Sequence, residues 1–133
     1  MFDVIREIGA ITRKLQTRSN AEFRALGLDN NAYIYLIRAT ETPGAFMGAL
    51  ADAVQIDRTT AFRTIKKLVA QGWLELRPNA QDKRLRCVFP TAKAQALYPR
   101  LHAFEQACSD QLLAQLAPAE RQQLVALMKR LTY

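Results

Sequence analysis

Apolar positions along the chain recur at helical spacing almost throughout, and the most informative run is Asp57–Gly72, D-R-T-T-A-F-R-T-I-K-K-L-V-A-Q-G. Placed at 100° per residue, Ala61, Ile65, Leu68 and Val69 share one face, and Thr59, Arg63, Lys66, Lys67 and Ala70 lie opposite. An Asp suits the N-cap, Arg58 to Gln71 contains no Pro or Gly, and Gly72 suits the left-handed position after a helix end. The pattern predicts one helix with an apolar inner face and a basic, hydroxylated outer face. Elsewhere it predicts helices from Phe2 to Ala25, ended by Gly27; from Asn30 to Thr42, capped by Asp29, with Tyr33, Ile34, Leu36 and Ile37 as the apolar set; and from Met47 to Val54. Trp73–Arg77 and Leu85–Phe89 read as strands joined by a charged tip. Beyond Thr91, as a cap, lies a helix from Ala92 to about Leu116, interrupted at Pro99. A last helix runs from Pro118 to about Leu131.

Only Gln55-Ile56 separates the Met47 and Asp57 helices, which is a helix-turn-helix layout followed by a two-stranded ribbon. The second helix of such a pair enters the DNA major groove, and here it is the basic one. Arg can fork onto guanine or phosphate, Lys neutralises phosphate, and Thr presents a hydroxyl or methyl to a base edge. The plain alternative is a solvated, charged surface helix. An Arg at the ribbon tip suits a narrow minor groove, although a basic hairpin tip can equally be solvated.

Charge distribution separates these readings. The net charge is +7, and the segment Arg58–Arg86 carries eight basic residues against two acids, which accounts for six of those charges. A concentrated positive field calls for a polyanion, and the segment lacks the broad apolar face of a membrane-surface helix, so nucleic acid is the expected partner. At 133 residues, half of them hydrophobic, the chain is expected to form a single domain, 1–133, with its own core. No charged-then-apolar leader and no run of eighteen apolar residues occurs, and the expectation is a soluble, cytoplasmic protein.

Catalytic chemistry finds little support. There is one histidine, His102, no Gly-rich phosphate loop and no nucleophile–base–orienter set, so neither an enzyme, a metal site nor a cofactor is expected. His102 reads as a helix-face or interface residue. Cys87 and Cys108 are isolated from other metal-ligating residues and read as small packing groups, with a reactive thiol beside the many Arg residues as the alternative for Cys87. Trp73, Tyr33 and Tyr35 read as core or as the walls of a pocket for a planar molecule. Apolar stripes on the terminal helices exceed what a compact helix-turn-helix needs and suggest dimerisation.

The segment Leu50–Arg86, L-A-D-A-V-Q-I-D-R-T-T-A-F-R-T-I-K-K-L-V-A-Q-G-W-L-E-L-R-P-N-A-Q-D-K-R-L-R, resembles the core of the MarR family of bacterial transcriptional regulators. The likeness rests on I-D-R-T-T opening the second helix, Leu68 and Gly72 closing it, and R-P and D-K-R in the wing. It implies a mainly α fold: a winged helix-turn-helix lobe over about 29–90, with 1–27 and 91–133 supplying dimerisation helices. It further implies a homodimer that binds double-stranded DNA at a pseudo-palindromic operator, commonly as a repressor released by a small aromatic or anionic ligand or by oxidation. By family position, Thr59, Thr60 and Arg63 become recognition contacts, Arg84 the minor-groove contact and Asp82 its brace. Lys66, Lys67, Lys83 and Arg86 are further DNA-contact candidates by charge and facing. Phe62 stands where a small or polar residue is common and either touches a thymine methyl or packs beneath the wing. Gln55 replaces the usual Gly of the turn, Phe46-Met47 a capping Ser or Thr, and Ala94 a common Gly. The family's ligand cleft suggests Ile11, Leu15, Tyr33 and Ile37 as ligand contacts. Its redox members carry a reactive Cys in the first helix, where residues 1–30 have none, leaving Cys87 or Cys108 as the thiol alternative. A winged helix used only to bind a protein partner is the remaining competitor.

Overall fold

A computed structural model describes residues 1–131. Its elements are α1 (Asp3–Phe23), α2 (Ala32–Glu41), β1 (Ala45–Phe46), α3 (Met47–Val54), α4 (Arg58–Ala70), β2 (Leu74–Pro78), β3 (Arg86–Pro90), α5 (Ala92–Leu112) and α6 (Pro118–Met128). Two compact units contain them, Met1–His102 and the residues from Ala103 onward, with α5 starting in the first and ending in the second.

In the first unit, α1 ends through a 3-10 turn, Arg24–Leu26, and Gly27 takes the left-handed conformation (φ 73°) while the Leu28 N–H donates to the Phe23 carbonyl. Phe23 and Leu28 are thereby both brought into the core. The start of α2 differs from the expected Asp29 cap. Asn30 and Asn31 both have positive φ, the Asn30 N–H donates to Asn20 Oδ1 at 2.9 Å, and α2 begins two residues late without a side-chain cap. Asn tolerates this backbone region because its short polar side chain bonds locally. Within α2, Ala32, Tyr35, Leu36, Ile37 and Ala39 are buried, whereas Tyr33 and Ile34, expected in the apolar set, sit at the edge, Tyr33 stacked on Phe23 with ring centroids 5.1 Å apart.

The two-stranded ribbon proves to be a three-stranded antiparallel sheet in the order β1-β3-β2. Ala45 pairs with Val88 and Phe46 with Cys87, and Leu74–Pro78 runs against Arg86–Pro90 with Leu76 opposite Val88. Two residues show no alternation, so β1 left no periodic signal in the sequence. Leu36, Ile37, Leu50, Ile65, Leu68, Leu74, Val88 and Leu101 close the core of this unit, each burial contributing about 1.5–3 kcal/mol.

Helix α5 runs through Pro99 without interruption and stops at Leu112, four residues early. Pro99 deprives only the Gln95 carbonyl of its helical partner, and because both residues are exposed, water can satisfy that oxygen. In the second unit, the Glu120 carboxylate accepts the Ala117 N–H at 2.8 Å, fixing the start of α6 behind Pro118. No α6 residue is buried, and Leu124, Val125, Leu127 and Met128 are all exposed.

The turn between α3 and α4 hangs on Gln55, whose φ of 57° is left-handed and whose successor Ile56 donates its N–H to the Ala51 carbonyl at 3.2 Å. A left-handed residue other than Gly costs roughly 1–2 kcal/mol, and Gly loses about 0.5–1 kcal/mol more chain entropy on folding. Replacing Gln55→Gly is therefore expected to raise the free energy of unfolding by about 0.5–1 kcal/mol in urea denaturation, and Gln55→Val to lower it.

Candidate nucleic-acid interface

Helix α4 opens with the Asp57 carboxylate accepting the Thr60 N–H at 3.0 Å. That backbone hydrogen bond, then the Thr60 side chain, holds the Asp57 pKa below its ordinary value. Burial of Ala61, Ile65 and Leu68 fixes the rotation of the helix. Thr59, Thr60, Arg63, Lys66 and Lys67 are all exposed, and Phe62 is half-buried at the edge of the outward face.

The exit of α4 is tied to its neighbours by contacts the sequence reading did not assign. The Lys93 ammonium lies 3.1 Å from the Gln71 carbonyl and 4.0 Å above the Trp73 ring, a cation at the negative end of the helix dipole. The Thr91 hydroxyl is 2.7 Å from the Gly72 carbonyl and also accepts the Ala94 N–H at 3.3 Å, so one side chain caps α5 and secures the end of α4. A Thr before a helix predicts the cap; only the fold reveals the second contact.

In the wing, Asn79 Oδ1 accepts the N–H groups of Gln81 and Asp82 at 3.0 and 2.9 Å, and the Leu85 N–H donates to the Asp82 carbonyl. Asp82 accepts both the backbone N–H and the guanidinium of Arg84, each at 3.1 Å. The Arg84 guanidinium lowers the Asp82 pKa. The side chain of Arg84 nevertheless remains 90% exposed, and Lys83 and Arg86 are exposed beside it. On β2, Arg77 is neutralised by a two-pronged contact with Glu75 at 3.0–3.1 Å and lies 4.2 Å over the Phe89 ring. Of the eight cations between Arg58 and Arg86, three are thus ion-paired (Arg58, Arg77 and Arg84). Arg63, Lys66, Lys67, Lys83 and Arg86 make no ion pair among the described residues. Those five lie on α4 and on the wing.

A groove of about 360 Å³ opens between the start of α3, the first turns of α4 and the wing. The four residues suggested for a ligand do not line it. Ile11 and Leu15 are half-buried on α1, Tyr33 is half-buried against Phe23, and Ile37 is 1% exposed in the core. Cys87 and Cys108 are free and buried, and the Asn79 amide is 3.8 Å from Cys87 Sγ.

The model of the MarR family matches residues 26–85, from the end of the 3-10 turn to the wing. Over 130 residues, 98% of this chain and 87% of the relative, the sequence is 39% identical to the HTH-type transcriptional regulator YybA of Bacillus subtilis (strain 168). A crystal structure of a putative MarR family transcriptional regulator from Listeria monocytogenes, complexed with 26mer DNA, superposes with a TM-score of 0.90 at 37% identity, covering 98% of this chain and 87% of that one. This chain belongs to the MarR family of transcriptional regulators. A structure of the transcriptional regulator SlyA, 36% identical over 96% of this chain and 90% of its own, gives the same TM-score of 0.90. For a MarR-family chain, the resemblance carried by I-D-R-T-T and D-K-R thus holds for the fold and the family, and the terminal helices lie outside the matched core. No helix among the described residues is long and apolar enough to cross a membrane.

The Asp57 cap gives α4 a dependence on pH. Because its folded pKa is lowered, its contribution is complete above the unfolded value and disappears as pH falls through the folded one. The stability difference between this MarR-family chain and its Asp57→Ala variant is expected to be constant from pH 7 to about 5 and to shrink progressively as the pH is taken below the free aspartate value near 4. Urea denaturation across that range measures it.

Proposed function

We propose that this MarR-family regulator is a cytoplasmic homodimer that binds double-stranded DNA at a pseudo-palindromic operator and represses transcription until a small aromatic or anionic ligand releases it. The observation that carries the DNA reading is the outward face of α4. Arg63, Lys66 and Lys67 stand there exposed beside Thr59 and Thr60, without an ion pair among the described residues. A module serving only protein contacts has no need of that face. Arg63 and the two threonines read base edges, Lys66 and Lys67 meet phosphate, and Arg84, held by Asp82, enters the minor groove with Lys83 and Arg86 beside it. Phe62, half-buried, adds an apolar contact at the margin. The Listeria relative of similar sequence is complexed with 26mer DNA.

Dimerisation is supported by apolar surface left open in each unit. Phe2, Val4 and Ile5 are exposed at the start of α1, and Leu127 on α6 is 56% exposed. A two-fold axis would set two α4 helices about 34 Å apart, matching half-sites one helical turn apart. Ligand release then acts by changing that separation, with Ile11, Leu15, Tyr33 and Ile37 as the candidate contacts.

Titration of the chain's own upstream region against random duplex at several salt concentrations tests the reading, and a preference of roughly 10³ or more supports it. Equal binding to both duplexes would remove the sequence-specific reading. Arg63→Ala is expected to relax preference at one half-site position. Arg84→Ala should weaken binding at A·T-rich flanks. Leu127→Asp should shift the protein toward monomer in sedimentation velocity and lower operator affinity with it; a monomeric wild-type protein would overturn the dimer.

A further inference from the structure

The groove between α3, α4 and the wing is lined by Phe46, Gly48, Phe62 and Leu85 on its apolar sides and by Arg58 and Arg86 among its cations, and no lining residue is acidic. Phe46 and Leu85, both lining this depression, are each 40% exposed. If α4 occupies a major groove and the wing tip the adjacent minor groove, the strand that separates those two grooves must pass between the two elements. The depression occupies that place. Its composition suits such a strand, because deoxyribose offers apolar faces to Phe46 and Leu85 while phosphate oxygens seek guanidinium groups.

Arg58 is the least expected of the lining residues. It is the first residue of α4, where a cation opposes the positive end of the helix dipole. Its one ion pair among the described residues is a 3.4 Å contact with Asp52, both side chains being about two-thirds exposed, and pairs of that kind contribute little to stability. It also lies across Gly48: a Cβ there would come within 3.2 Å of the guanidinium carbon. A glycine inside a helix is itself unfavourable relative to Ala. Two locally unfavourable choices therefore combine to bring the Arg58 guanidinium beside Gly48 in the lining of the groove.

We infer that the groove seats the DNA sugar-phosphate strand passing from α4 to the wing, with Arg58 as a phosphate contact that Gly48 makes room for and Asp52 orients. This rests on the DNA-binding reading above and adds to it a residue and a path for the backbone. Phosphate contact carries no sequence information, so Arg58 contributes affinity and register, and base preference stays with the outward face of α4.

Arg58→Gln and Arg58→Lys test it, with Arg6→Gln on the first turns of α1 as a control of equal charge change outside the groove. Each protein is titrated with the upstream duplex and with a random duplex of equal length between 50 and 200 mM salt, after thermal unfolding has shown the variants folded. For Arg58→Gln the expected result is a roughly 3- to 10-fold loss on both duplexes with an unchanged ratio between them, and a salt slope shallower by about 0.9. Across that salt range the variant then loses roughly 3.5-fold less affinity than the wild type. Arg58→Lys should keep the wild-type slope, and Arg6→Gln should leave slope and affinity unchanged. An unaltered slope for Arg58→Gln, a loss confined to the upstream duplex, or an equal loss for Arg6→Gln would each overturn the assignment. Failure of the wild-type protein to bind either duplex would be a different result, overturning the DNA reading itself.

Discussion

Everything on the outward side of α4 depends on three side chains on its inward side. Ala61, Ile65 and Leu68 are buried to 1% exposure or less, and they recur at the spacing that keeps one helix face against the core. A rotation of 100° would bring Phe62, Lys66 and Val69 inward, and an ammonium without a partner is among the costliest groups to bury. The rotation of α4 is therefore fixed by a penalty as much as by a gain. The direction in which Arg63 and Lys67 point follows from where Leu68 cannot point.

The positive field of the molecule is shaped by which cations are neutralised. Glu75 silences Arg77 on the flank of the sheet, while Asp82 holds Arg84 at the tip without covering it. The two pairs look alike in sequence, an acid and an arginine two residues apart, yet they serve different ends. Arg77 is flattened against Phe89 and becomes part of the sheet surface. Arg84 is oriented and left in solvent.

Most of the architecture was legible in the chain because its elements are long and periodic. Helix α4, its Asp57 cap and its Gly72 end could be read directly, as could α3 and the charged ribbon. What escaped the sequence was short or lay beyond local spacing. β1 is two residues long; the left-handed pair Asn30-Asn31 displaced the start of α2, and the core took Tyr35 where local spacing could not decide between it and Tyr33. Pro99 did not interrupt α5, because an exposed helix can leave one carbonyl to water. In the interface, the residue types on the outward face of α4 were visible from periodicity. The contacts of Thr91, Lys93 and Arg58 were not, since each joins elements whose approach only the folded chain defines.

The wing loop carries its shape before it meets anything. Within residues 79–85, two N–H groups are bonded to the Asn79 side chain, one to the Asp82 carbonyl and one to the Asp82 carboxylate. A free loop gives up roughly 1–2 kcal/mol of backbone freedom for each residue it orders on contact with a partner. Here most of that loss has already occurred during folding, so the tip presents Arg84 as a preorganised probe. Encounter with a partner then tests fit, with little left to mould.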